Sequence, residues 1–216
     1  MKTDTADQHW NDQWAAIQAG SKWLTPEPDV MVWSNTMAPG SRILDLGAGV
    51  GRHALWLAGR GFDVTALDAA ADGLARIDAM GGVTTVKSPM HELPFDDQSF
   101  DHVLSWNVIY HGDEAILTQT ISEIHRVLRP GGTFHGTMLT KRAIALTQAK
   151  LPGGREISRN TWVFDDDEGD KRHPHYFCDS GDLMRVFSDF DILRVGTDYH
   201  EGGRGGRWHV ILERPE

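Results

Sequence analysis

The sequence lacks the features of secreted and membrane proteins. It contains a single cysteine, Cys178, so it can form no intramolecular disulfide and offers no set of thiolates to a metal. No apolar run approaches the roughly 18–20 residues that a membrane-spanning helix requires. The first thirty residues are polar and contain tryptophans, without the basic start and apolar centre of a signal peptide. We therefore expect a cytoplasmic protein with no membrane partner.

Positive charge is also scarce. Lysine and arginine together number 21 against 31 aspartates and glutamates, which gives a formal net charge of -10. Proteins that bind a phosphate backbone normally carry a basic stripe, so we expect no nucleic-acid partner. The length of 216 residues and the hydrophobic fraction of 40% suit one globular domain with a sizeable core.

Segments with strand and helix patterns alternate along the chain. The clearest helix contains Leu117, Ile121, Ile124 and Leu128, whose spacing places them on one stripe. Alternating strands and helices favour parallel pairing, and two final strands without a helix between them require one antiparallel strand. The sequence therefore predicts a Rossmann-like α/β fold: an open, mostly parallel seven-stranded sheet with helices on both faces and an antiparallel last strand. The seven strands are predicted at Arg42–Leu46, Phe62–Leu67, Val83–Lys87, Asp101–Ser105, Thr133–Met138, Phe190–Thr197 and Trp208–Glu213.

A short helix is predicted near the N-terminus. Thr5 and Gln8 have the spacing of a capping box, and Trp10 and Trp14 fall on one face of the helix that would follow. Pro26 and Pro28 would end this region. Such an apolar stripe is usually part of a core.

A glycine-rich turn joins the first predicted strand to the first core helix. Glycines at 47, 49 and 51 permit a tight turn and a close approach of the backbone to a ligand. Arg52 stands where the dinucleotide-binding fingerprint would have its third glycine. Asp68 follows Gly51 by seventeen residues and ends the second strand, where a carboxylate can accept hydrogen bonds from ribose hydroxyls. The alternative role for Asp68 is a helix N-cap.

Four sequence blocks, in this order, resemble those of the class I S-adenosylmethionine-dependent methyltransferases. The resemblance covers residues 41–138, and the stretch after the turn looks most like the branch that contains the tellurite-resistance and thiopurine methyltransferases. The blocks are Ile43-Leu44-Asp45-Leu46-Gly47-Ala48-Gly49-Val50-Gly51, Leu67-Asp68, Leu93-Pro94-Phe95-Asp96-Asp97-Gln98-Ser99-Phe100-Asp101 and Arg126-Val127-Leu128-Arg129-Pro130-Gly131-Gly132.

The resemblance implies a set of contacts to S-adenosylmethionine. The backbone of Gly47, Ala48 and Gly49 would cradle the methionine part and the ribose. Asp45 would hold the turn or meet the cofactor's ammonium through water, and Asp68 would bind the ribose hydroxyls. Ala69, Met90 and His91 would line the adenine pocket. The sequence departs from the family at Pro89, where many members carry an acid that binds the adenine amino group.

Residues after the fourth strand are the first candidates for the acceptor side. Trp106 and Tyr110 offer aromatic faces to a cationic sulfonium, and His111 could act as a base near neutral pH. The alternative is that the two aromatic residues pack under the next helix and His111 caps it.

A long insertion, residues 139–178, is the second candidate region, because connections of this length are usually functional. His175 or Tyr176 would face the substrate, or else form a structural turn. His173 and His175 could share a metal, but no third ligand stands at a recognisable spacing, so we expect no metal.

The resemblance divides the chain into four parts. Residues 1–30 would form a helical lid in which Trp14 covers the sulfonium, 41–138 the cofactor-binding core, 139–178 the substrate-side insertion, and 179–216 a C-terminal helix and hairpin. We therefore expect methyl transfer to a small-molecule acceptor at oxygen, nitrogen, sulfur or a metalloid, with S-adenosylhomocysteine as product. The alternatives are a non-catalytic S-adenosylmethionine-binding module, a nicotinamide-dependent oxidoreductase and a methyltransferase acting on a macromolecule.

Overall fold

Ten strands and seven α-helices make up the described parts of the computed structural model, which are residues 5–151, 153–165, 169–200 and 203–216. The helices are α1 (Asp7–Ala15), α2 (Pro28–Ser34), α3 (Ala54–Ala58), α4 (Ala71–Met80), α5 (Glu114–Val127), α6 (Arg142–Gln148) and α7 (Ser180–Val186). The strands are β1 (Arg42–Leu46), β2 (Asp63–Asp68), β3 (Thr84–Lys87), β4 (Phe100–Ser105), β5 (Leu128–Thr140), β6 (Arg155–Ser158), β7 (Thr161–Val163), β8 (His175–Cys178), β9 (Asp191–His200) and β10 (Gly203–Glu213).

The predicted seven-stranded sheet is present. Its five parallel strands lie in the order β3-β2-β1-β4-β5, and β10 pairs with β5 in the antiparallel direction. β9 pairs antiparallel with β10, so the last strand of the chain is the antiparallel one, as predicted. Since β1 lies between β2 and β4, the chain reverses its direction of winding there, and ligands of open α/β sheets bind beyond the carboxyl ends of strands at such a point.

Two hydrophobic cores cover the two faces of the sheet, because alternate residues of each strand point in opposite directions. Leu44 of β1 and Val103 of β4 pack with α5 and α7 in one core. Ile43 and Leu104 pack with α2, α3 and α4 in the other. The prediction of helices on both faces is therefore confirmed.

Two local predictions were wrong at the ends of elements. β5 begins at Leu128, directly after α5, rather than at Thr133, since Leu128 pairs with Phe100 of the neighbouring strand. The N-cap of α1 is Ala6, with no side-chain cap. The Thr5 hydroxyl Oγ1 instead lies 2.9 Å from Nδ1 of His173 in the insertion.

The insertion adds structure that the sequence did not predict. It contains α6 and the strands β6, β7 and β8, which continue the sheet. Leu139 of β5 pairs with Arg207 of β10 and with Phe177 of β8, whereas the last residue of β5 paired with β4 is Gly136. β8 therefore lies beyond the end of β4, and this places the insertion above the carboxyl edge of the sheet.

Among the helices of the described ranges, none has the length and apolar character needed to cross a bilayer.

Candidate active site

A cavity of about 490 Å³ opens at the carboxyl ends of β1, β2 and β4. Pockets of this size suit small ligands. Ten of the thirteen predicted site residues line it: Trp14, Gly47, Ala48, Gly49, Asp68, Ala69, Met90, Trp106, Tyr110 and His111.

The glycine-rich turn forms the floor of the cavity, and two of its positions require glycine. Gly47 has a φ of 75°, and a Cβ atom there would lie 2.3 Å from a methyl carbon of Val108. Gly49 has a φ of 55°, and a Cβ atom would lie 2.9 Å from the Trp14 ring. The turn is thus packed closely on both sides and exposes backbone to the cavity.

Asp68 holds this turn in place. One carboxylate oxygen accepts the amide hydrogen of Gly49 at 2.7 Å, and the other accepts that of Ala70 at 2.8 Å. Each oxygen keeps a second lone pair, so the carboxylate can still accept two ribose hydroxyls. The N-cap of α4 is Ala70, so the alternative role of Asp68 as the N-cap is not the one observed.

Asp45 lies beneath the turn and outside the cavity lining. Its side chain is buried, and its Oδ2 atom has no hydrogen-bond partner among the residues that the structure describes. Burial raises the pKa of Asp45 to about 7, although Arg52 and the amide of Ala54 act in the opposite direction. A buried carboxylate oxygen without a partner fits the predicted contact, through water, to an ammonium group.

Three tryptophans of the N-terminal segment form a small separate cluster over the turn. Trp14 stacks on Trp10 with 5.3 Å between ring centroids and meets Trp23 edge-on at 5.6 Å. Asn11 joins α1 to α4, because its side chain both donates to the Asp72 carboxylate and accepts from the Asp72 amide. The N-terminal helix therefore lines the cavity next to the turn, and its action as a lid stays a prediction.

Trp106 and Tyr110 form the wall beyond β4, and both are buried. Burial raises the pKa of Tyr110 to about 12, with a partly opposing effect of Arg207, which donates to the phenol oxygen. The hydroxyl of Tyr110 therefore stays protonated at neutral pH and is a hydrogen-bond donor rather than a base.

His111 and His175 meet at the carboxylate of Asp170. Their Nε2 atoms lie 3.5 and 3.2 Å from Oδ2 of Asp170. Both Nδ1 atoms face main-chain carbonyl oxygens. Nδ1 of His111 lies 2.7 Å from the carbonyl oxygen of Val108, and Nδ1 of His175 lies 2.8 Å from that of His173. Each ring nitrogen of His111 thus faces a protein oxygen, and its role as a base stays a prediction.

Three predicted site residues, Asp45, His91 and His175, lie outside the cavity lining. Ser88 and Pro89 line it next to Met90, whereas His91 does not. His175 is fully buried behind Asp170.

Several lining residues were not predicted. Arg52 forms an ion pair with Glu27 at 2.9 Å. Asp170 and Arg207 also reach the cavity from distant parts of the chain. Asp170 belongs to an acidic run that is visible in the sequence, but nothing in the sequence around Arg207 indicates a site.

Comparison with known proteins agrees with this geometry. Residues 43–132 match the family model described as a methyltransferase domain. An uncharacterized methyltransferase of Synechocystis sp. is 36% identical over 99 residues, which are 45% of this chain and 47% of the relative. The chain thus spans about half the length of the curated relatives it matches, or somewhat less.

Two solved structures share the fold. The 1,6-didemethyltoxoflavin-N1-methyltransferase of Burkholderia thailandensis, solved with its substrate and S-adenosylhomocysteine, has a TM-score of 0.69 at 17% identity. The alignment covers 98% of this chain and 84% of that one. TehB of Haemophilus influenzae has a TM-score of 0.63 at 18% identity, over 88% of this chain and 63% of that one.

Proposed function

We propose that the chain belongs to the class I S-adenosylmethionine-dependent methyltransferases and, on that premise, that it methylates a small-molecule acceptor. One observation carries the proposal. The space beside the glycine-rich turn is lined by side chains from α1, from the segment after β4 and from Asp170 and Lys171. A cavity of this size admits a cofactor and a small acceptor more readily than a folded macromolecule. We also propose the four-part division of the chain and a cytoplasmic location.

The protein's own groups divide the work between two sides of the cavity. On the cofactor side, Asp68 would hold the ribose, the turn the methionine part, and Asp45 the ammonium through water. Bound S-adenosylmethionine supplies a methyl group on a positively charged sulfur. The aromatic faces of Trp14 and Trp106 would stabilise that charge in a site from which they also exclude water.

On the acceptor side, the protein's contribution is alignment and dehydration. An in-line displacement needs the acceptor atom held opposite the sulfur, and such positioning can supply a large part of the rate enhancement. Tyr110 and Arg207 present hydrogen-bond donors there, whereas Glu27 balances the charge of Arg52. These donors favour an acceptor that carries an oxygen atom.

Methyl transfer to a chemically defined panel tests the proposal. Labelled S-adenosylmethionine is incubated with a carboxylic acid, a phenol, a thiol, an amine and tellurite, and in parallel with protein and RNA extracts. We expect label in one or more small molecules, and less label when Asp68→Ala replaces the wild type at a low cofactor concentration. Label confined to the protein or RNA extract would contradict a small-molecule acceptor. Binding of the cofactor without transfer to any fraction would favour the non-catalytic alternative.

A further inference from the structure

Three metal-binding groups meet in the wall of the cavity. Nε2 of His111, a carboxylate oxygen of Asp170 and a ring nitrogen of His175 all lie within 4.8 Å of one another. We propose that these residues bind one divalent transition-metal ion, for which zinc is the best chemical match, at the acceptor side of the cavity. The inference deepens the proposed function and rests on it for the role of the ion, but not for its binding.

The hydrogen-bond pattern suits a cation at this point. Each histidine directs both ring nitrogens at oxygen atoms: Nδ1 at a main-chain carbonyl and Nε2 at Asp170. A neutral imidazole has only one N–H, so it can donate to only one of the two oxygens. If the Nδ1 atoms carry the hydrogens, two nitrogen lone pairs converge on the carboxylate. A cation between them would turn this repulsion into three ligand bonds.

One cation already lies beside the cluster. Lys171 itself contacts both carboxylate oxygens of Asp170, at 3.2 and 3.3 Å. It can therefore stay on one oxygen while the other coordinates a metal.

The two separations from Asp170 agree with a tetrahedral ion. Zinc binds histidine nitrogen and carboxylate oxygen at roughly 2.0–2.2 Å, so two ligands of a tetrahedral site should lie about 3.4 Å apart. The observed separations from Asp170 are 3.2 and 3.5 Å. The third separation, between the two histidine nitrogens, lies within 4.8 Å. The carbonyls that accept from Nδ1 are the outer partners that normally orient metal-bound histidines.

A site with three protein ligands leaves a fourth position, as catalytic zinc sites do. His111 and Asp170 both line the cavity, so that position would face the acceptor. An acceptor hydroxyl or thiol bound there would lose its proton to solvent more readily. The resulting oxygen or sulfur anion would form a bond to the methyl carbon while the carbon–sulfur bond breaks. The electron pair of that bond would return to sulfur, which gives S-adenosylhomocysteine.

Titration of metal-depleted protein with zinc chloride tests the proposal, and cobalt chloride provides a spectroscopic readout. We expect one ion per chain and the visible absorption of tetrahedral Co²⁺. Loss of a residue that only orients a metal ligand usually weakens a metal site by about 10–100-fold. His111→Ala and Asp170→Asn remove ligands themselves. Each should therefore weaken zinc binding by at least that factor. His125→Ala is the matched control, because His125 lies at the end of α5 outside the cluster. Its zinc affinity should equal that of the wild type.

Lys171→Met tests whether the ammonium on Asp170 competes with the ion. Removing the competing ammonium should leave zinc binding equal or tighter. Weaker zinc binding in this variant would overturn the metal site. So would wild-type protein that binds no ion in the cluster while it still binds S-adenosylmethionine. Either result would leave the proposed function intact. Zinc binding without binding of S-adenosylmethionine would instead overturn the proposed function alone. Thermal unfolding of each variant verifies that it is folded.

Discussion

The two sides of the cavity are held by different kinds of interaction. The cofactor side is built on β1, β2 and β4, whose residues are buried in two apolar cores, and on glycines that no larger residue could replace. The acceptor side is formed by side chains of α1 and the insertion, which are held by apolar packing around Trp14 and Phe177 and by polar contacts such as that of Thr5 with His173. The proposed cofactor side is thus fixed through its backbone, and the proposed acceptor side through its side chains.

The difference concerns how freely each side can vary in sequence. Close packing fixes the shape of the cofactor side, because a protein interior resists even small changes of volume. Connecting segments tolerate changes of sequence and length more readily than the elements that they connect. The local matches to relatives agree with this division, since the methyltransferase model covers residues 43–132 and not α1 or the insertion.

Two tryptophans provide the largest test of the comparison. Trp33 is buried in the core on one face of the sheet, whereas Trp14 belongs to the small cluster over the turn. We expect Trp33→Ala to lower the free energy of unfolding by about 3–5 kcal/mol, because it leaves a large cavity. Trp14→Ala should cost less stability but weaken S-adenosylmethionine binding roughly tenfold through the lost contact with the sulfonium. Thermal unfolding and calorimetric titration of both variants measure these effects. Equal losses of stability with no loss of affinity would show that Trp14 is merely part of a core.

The pH dependence of cofactor binding tests the role of Asp45 on the cofactor side of the cavity. Because burial raises the pKa of Asp45 to about 7, the carboxyl group is mostly protonated at pH 6 and mostly ionised at pH 7.5. If the ionised form binds the ammonium, affinity should rise roughly eightfold between these pH values. In the ligand-free protein, the folding stability changes with pH in the opposite direction. Stability should fall as the pH rises from about 4 to about 7, since the unfolded chain releases the proton that the folded state keeps.

Asp45→Asn is the control for both effects. It should flatten the rise of affinity with pH and remove the corresponding loss of stability. A pH profile of binding that is the same in Asp45→Asn and in the wild type would assign the dependence to another group.

The sheet was largely predictable from the sequence because its signals are local. The predicted bounds of β1 equal those observed, and β2, β3 and β4 differ from the prediction by one residue at most. Apolar runs bounded by turn residues suffice for this. The predicted start of β5 was wrong, because pairing of Leu128 with Phe100 outweighs the local effect of Pro130.

The acceptor side was less predictable because its contacts join distant residues. Asp170 lies 59 positions from His111, and no periodicity or spacing indicates that they meet. The sequence analysis considered only His173 as a partner of His175 and predicted no metal, whereas the structure places His111 and Asp170 next to His175. The short strands β6 and β7 also depend on pairing within the insertion rather than on any strong pattern of their own.

Calorimetric titration of S-adenosylmethionine into wild type, Asp68→Ala and Asp63→Ala tests the central claim most directly. Asp68 holds the glycine-rich turn and has lone pairs left for the ribose, whereas Asp63 is an exposed aspartate at the start of the same strand. We predict binding to the wild type that Asp68→Ala weakens at least tenfold, or about 1.4 kcal/mol, and that Asp63→Ala leaves unchanged. Absence of binding to the folded wild type, or equal affinity in Asp68→Ala, would contradict the assignment of this cavity to the cofactor.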